Sequence, residues 1–249
     1  MAISLKKVLP GSPGYPSRLE DSLKGTLAKP PSLYFLGRED LANPTKALAI
    51  LGSRHALEEA LHLAREAAEY FAKASYTVIT GLARGVDWEA TLGALERGYA
   101  IGVVPFGLKS PDATRLLRKL GQYLSERLLL LSELEPYLPW RAHHAMRRNR
   151  LVVGLADAVL IIQTGPKAQE VDGRPRQSGT WDAAEKAHAM GRPVFVLDLP
   201  IEGNQALKRS LPAIPIPPGK EGFEFIEATL GPAVPNADEK KIVYQPRLL

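Results

Sequence analysis

The chain has 249 residues, 45% of them apolar, and no cysteine; this is enough for a full hydrophobic core and excludes a disulfide scaffold, a thiolate metal site and a cysteine nucleophile. The formal charge of +5 is mild, but Arg141–Arg150 carries four arginines, two histidines and no acid, a local positive field rather than an average. No signal-peptide run opens the chain and no stretch approaches the ~20 apolar residues of a membrane span, so the expectation is a cytoplasmic protein with no membrane partner.

Residues 1–45 are rich in Pro and Gly and hold one short apolar strand, Leu33–Leu36; they read as an N-terminal extension packed on the main domain. From Lys46 the pattern turns regular. Apolar runs at Ala47–Leu51, Tyr76–Thr80, Ala100–Val104, Leu128–Leu131, Ala158–Ile162 and Val194–Leu197 predict six strands. Between them, helical spacing covers Leu57–Lys73, Asp87–Arg97, Asp112–Tyr123, Ala142–Val153 and Thr180–Met190. Short apolar strands alternating with amphipathic helices indicate a mostly parallel sheet covered on both faces. The prediction for residues 46–210 is an α/β domain with an extended Rossmann-like, doubly wound sheet, not a barrel. Residues 211–249, first Pro-rich and then charged, read as a C-terminal tail or strap.

In a doubly wound sheet ligands bind beyond the carboxyl ends of the strands. There the chain reads Gly52-Ser53-Arg54 after the first regular strand and Gly81-Leu-Ala-Arg84-Gly85-Val-Asp87 after the second. Gly107-Leu-Lys109 follows the third, Ser132-Glu133 the fourth, and Ser178-Gly179-Thr180 opens a helix after the fifth. Glycine lets a backbone approach an anion closely, helix starts present free N–H groups, and arginine adds a bidentate clamp. Their convergence on one sheet edge predicts a phosphate-rich ligand, with Arg147 and Arg148 as further cations. The first loop lacks G-x-G-x-x-G and the second strand ends in Thr80-Gly81 with no acid there to hold a ribose, so no dinucleotide cofactor is expected. There is no P-loop, and His143 and His144 lack a third ligand at metal spacing.

Read in order, these loops resemble the DNA-processing protein A (DprA/Smf) family. The resemblance is carried by Pro31-Ser-Leu-Tyr-Phe-Leu-Gly37, Ala49-Ile-Leu-Gly-Ser-Arg54, Val78-Ile-Thr-Gly-Leu-Ala-Arg-Gly-Val-Asp87, Leu131-Ser-Glu133, Arg148-Asn-Arg-Leu-Val-Val-Gly-Leu155 and Gly203-Asn-Gln-Ala-Leu207. It implies binding of single-stranded DNA over the strand ends, a homodimer, and loading of the RecA recombinase during DNA uptake and recombination. It makes Arg54 the leading DNA contact, with Gly52 and Ser53 shaping its turn, while Arg84 and Arg150 line the pocket or brace it. Departures from the family pattern fall at Gly107–Thr114, which leaves Lys109 as a candidate contact, at Ser178–Ala184, and at a longer basic loop, Gly165–Gln177. Neither an N-terminal helical domain nor a C-terminal winged helix is expected. Phe106 and Trp181 are the aromatic residues considered for base stacking.

The expectation is therefore binding rather than catalysis. A competing reading is a nucleotide N-glycoside hydrolase of the lysine-decarboxylase-like, cytokinin-activating group, which Gln177–Glu185 imperfectly echoes; Glu133 or Glu185 would supply its carboxylate. A nucleotide-sensing module would use the same pocket without turnover.

Overall fold

A computed structural model describes residues 4–24, 29–171 and 174–231. In chain order the strands and helices are β1 (Lys6–Val8), α1 (Ser17–Leu23), β2 (Leu33–Gly37), β3 (Ala47–Leu51), α2 (Glu58–Lys73), β4 (Thr77–Thr80), α3 (Val86–Arg97), β5 (Tyr99–Val103), α4 (Pro111–Leu120) and β6 (Leu128–Ser132). They continue with α5 (Ala142–Leu155), β7 (Ala158–Ile161), β8 (Ala168–Val171), β9 (Arg174–Gln177), α6 (Gly179–Ala189), β10 (Val194–Leu197), α7 (Glu202–Ser210), β11 (Ile214–Ile216) and α8 (Lys220–Leu230).

Nine of these strands form one sheet in the order β1-β2-β6-β5-β4-β3-β7-β10-β11. From β6 to β11 every pairing is parallel; β1 and β2 are antiparallel additions beyond β6. The apolar runs explain the core. In β3 all five residues are buried, Leu48 and Ile50 on one face and Ala47, Ala49 and Leu51 on the other, as the two-residue period of a strand requires. The first face packs against α2, α3, α4 and α8, the second against α1, α5, α6 and α7. Helix α2 offers Ala60, Leu63, Ala64, Ala67 and Phe71 on one stripe, with Glu58 and Glu59 at its start and Lys73 in its last turn, each charge matched to the helix dipole.

Three regions carry more regular structure than the sequence pattern shows. Residues 33–37 do not merely pack on the domain; β2 pairs with β6, and β1 extends the sheet beyond it. The long loop after β7 folds into the β8–β9 hairpin. The stretch read as a strap contributes β11, paired with β10, and α8, whose Phe223 and Ile226 are fully buried; the remainder, 232–249, lies outside the described residues. Pro215 obscures β11 in the sequence because proline lacks an N–H, yet at a sheet edge one unpaired side costs nothing. Among the described residues no helix is long and apolar enough to cross a membrane.

Strand order runs outward through β4 and β5 on one side of β3 and through β7, β10 and β11 on the other. The connections diverge between β3 and β7, and a crevice opens there at the strand ends.

Candidate functional site

The crevice has a volume of about 710 Å³ and is walled by Gly52–His55 after β3, Asp87 at the start of α3, the first turns of α5, and Ser178–Thr180 at the start of α6. Asp87, 5% exposed, holds the two glycine loops together. Its carboxylate accepts the Gly81 N–H at 2.9 Å and the Gly52 N–H at 3.4 Å. Val86 N–H donates to the Ser53 carbonyl at 3.2 Å, and Ser53 N–H to the Gln163 carbonyl at 2.8 Å, so the Gly52–Arg54 turn is fixed to both neighbouring strands' loops. Gly85 adopts φ +81°, and a Cβ there would meet the Ser53 carbonyl at 2.3 Å; only glycine serves.

Arg148 forms the floor. Its guanidinium lies on Gly81, where a Cβ would fall 1.5 Å from Nη1. The residue is 5% exposed, and its Nε has no hydrogen-bond partner among the described residues. Burial lowers the guanidinium's pKa to about 10 despite the nearby Asp87 carboxylate, so it remains charged at neutral pH. Burial conversely raises Asp87, with Arg148 and the loop N–H groups opposing that rise. A buried cation so incompletely satisfied is costly unless an anion joins it.

Helix α6 aims its N-terminus into the same space. Ser178 Oγ caps it by accepting from the Trp181 N–H, and Asn149 Nδ2 donates to the Gly179 carbonyl at 3.0 Å and to Asp182 at 2.8 Å, locking α5 to α6. Arg54 is exposed at the mouth, with Trp140 and His143 also lining the crevice. A cation at the mouth, a cation at the floor and the start of α6, where the Ser178 cap takes up the Trp181 N–H, make an anion-binding geometry.

Of the residues singled out in the sequence, Gly52, Ser53, Arg54, Arg148, Ser178, Gly179 and Thr180 line this crevice, and Gly81 and Gly85 build its loops. Four others do not line it. Arg84 and Lys109 are exposed on their loops, while Arg147 and Arg150 both pair with Glu133, Arg147 at 2.9 Å. Neither aromatic considered for stacking faces the crevice: Trp181 is 3% exposed with its Nε1–H on the Gly165 carbonyl, and Phe106 packs against the core. Glu133 is held by its two arginines and Glu185 by Lys167 at 2.6 Å, and among the described residues Asp87 is the single carboxylate lining the crevice. Sequence reasoning passed over Asp87, Asn149, Gln163 and Trp140 as site residues; Asp87 closes the most specific motif, and its place directly after the glycine loop was the available signal.

Fold and crevice together define an α/β protein with a cationic crevice at a strand-order switch. The family model for DNA recombination-mediator protein A matches residues 6–211, and the chain belongs to that family. It is 29% identical over 192 residues to Protein Smf of Synechocystis sp., covering 76% of this chain and 44% of that protein. It is 31% identical over 172 residues to Protein Smf of Escherichia coli, covering 69% and 43%. The chain spans about half the length of the curated relatives it matches. Its fold is that of DNA processing protein A from Helicobacter pylori, a structure described for its single-stranded DNA binding mode, with a TM-score of 0.74, 24% identity and coverage of 91% of this chain and 95% of that one.

Proposed function

We propose that the crevice binds the phosphate backbone of single-stranded DNA and that the protein acts as a non-catalytic DNA-binding mediator of recombination. The observation that carries this reading is Arg148, a buried and incompletely hydrogen-bonded cation that lines the same crevice as the start of α6 and Arg54. A phosphate seated there takes the dipole of α6, the turn at Gly52–Arg54 and both guanidinium groups. No base-reading group is needed, so binding is tolerant of sequence and weakens steeply with salt. Family membership supports the remaining parts of the proposal: a homodimer in the cytoplasm that hands the strand to RecA recombinase.

A small nucleotide is the second reading, because about 710 Å³ is also the size of a small-molecule site. The same sample separates the two. In fluorescence anisotropy with an unstructured oligonucleotide across a salt series, the wild type binds and Arg54→Ala loses about ten- to a hundredfold in affinity, the worth of charged hydrogen bonds to one phosphate. Its salt slope shallows by about one unit. Failure to bind the strand at low salt, with a mononucleotide bound or its base released, would establish the second reading instead.

A further inference from the structure

Three exposed apolar side chains lie on one loop beside the crevice, between β6 and α5: Tyr137 is 71% exposed, Leu138 42% and Trp140 43%. The loop is firmly held. Gly107 N–H donates to the Leu138 carbonyl at 2.8 Å, Lys109 N–H to the Pro136 carbonyl at 2.6 Å, and Trp140 N–H to the Asp112 carboxylate at 2.9 Å. These rings are thus presented to solvent by a rigid backbone, without the flexibility that would let them fold back onto the core.

Each of the two rings has a cation beside it. Lys109 Nζ is 5.9 Å from the centre of Tyr137, and Arg54 Cζ is 6.0 Å from the centre of Trp140. Trp140 also lines the crevice, so the row begins at the proposed phosphate cradle and continues outward along the loop. Three residues of extended chain span at most about 11 Å, a reach of a few stacked nucleotides. Aromatic faces interleaved with cations along a path leaving a phosphate site are what a single strand requires: charge for its backbone and π-faces for its bases.

We infer that Tyr137 and Trp140 form a base-stacking rail for the strand whose phosphates the crevice holds, with Lys109 and Arg54 following the backbone beside it. This rests on the proposed function and adds to it the contact with the bases. It also gives Lys109 a place in the site, outside the crevice itself.

The test compares an oligothymidine with an abasic deoxyribose-phosphate strand of equal length and label, at matched salt. The wild type prefers the strand with bases by about tenfold or more, the effect of one stacked base. Trp140→Ala and Tyr137→Ala each narrow that preference, the double variant abolishes it, and Trp140→Phe retains most of it. Equal wild-type affinity for both strands overturns the rail while leaving the phosphate site standing. An undiminished preference in the double variant overturns it too, as does a Trp140→Ala variant that weakens both strands equally. Binding of neither strand removes the rail together with the phosphate reading. Loss of self-association in Trp140→Ala, with the preference intact, assigns the rings to a contact between two copies instead.

Discussion

Arg148 and Arg150 are two residues apart on α5 and meet opposite fates. A two-residue step turns an α-helix by about 200°, so they leave from opposite sides. Arg150 points toward Glu133, whose side chain is 3% exposed, and is paired there with Arg147 alongside. Arg148 points toward Gly81 and Asp87 and keeps an Nε without a partner among the described residues. Both guanidinium groups are pulled below their ordinary pKa by burial, and each keeps one buried nitrogen without a partner among the described residues, Arg148 Nε and Arg150 Nη1; what separates them is that Arg150 forms an ion pair, with Glu133, whereas Arg148 lines the crevice. Positive charge in a sequence therefore says little about binding until the nearest carboxylate is known.

The contrast can be broken in two ways. The largest effect is expected for Glu133→Ala, which strands Arg150 in the interior: urea unfolding should show a loss of about 3–5 kcal/mol. A loss below about 1 kcal/mol would mean that the Glu133 pair is not structural after all. Next, Arg148→Met removes the buried cation beside Asp87; stability should fall by about 1–3 kcal/mol, less than for Glu133→Ala because the loop N–H groups still hold the Asp87 carboxylate, while oligonucleotide affinity falls about tenfold or more. The reverse pattern, a large stability loss with affinity intact, would exchange the roles of the two arginines.

The smallest effect concerns His144, one turn before Arg148. Burial, then repulsion from His143 and from Arg141 and Arg147, lowers its pKa, against a backbone hydrogen bond with Pro139 that raises it. The folded state therefore prefers the neutral ring. As pH falls through the unfolded value of about 6.5 the unfolded chain takes up the proton first, and stability declines until the lower folded pKa is passed. Denaturation midpoints followed from about pH 7.5 to about 5.5 should slope less in His144→Gln than in wild type. Identical slopes would show that the ring carries no such linkage.

The central strands were legible because each is a short apolar run buried on both faces: β3 and β10 coincide with their predicted spans, and β4–β7 lie within a residue of theirs. What escaped detection was marginal in composition. β1 is Lys-Lys-Val, α7 is mostly polar, and α8 begins Lys-Glu-Gly-Phe, so each owes its form to packing on a sheet that local pattern does not show. The glycine turns of the crevice were visible for a similar reason to the strands: close approach forces residue identity, as at Gly85. The arginine run was visible as charge but not as direction. Helix phase separates Arg148 from Arg150, and two distant residues, Asp87 and Glu133, decide what each one does.

The two ends of the sheet carry a further consequence. β1 and β11 are three residues each; the first bears Lys6 and Lys7, and the second has Pro215 at its centre. Short, charged or proline-bearing margins are poor templates for another chain's backbone. Adding a strand across this boundary is unfavourable, and so is runaway ribbon growth at high concentration.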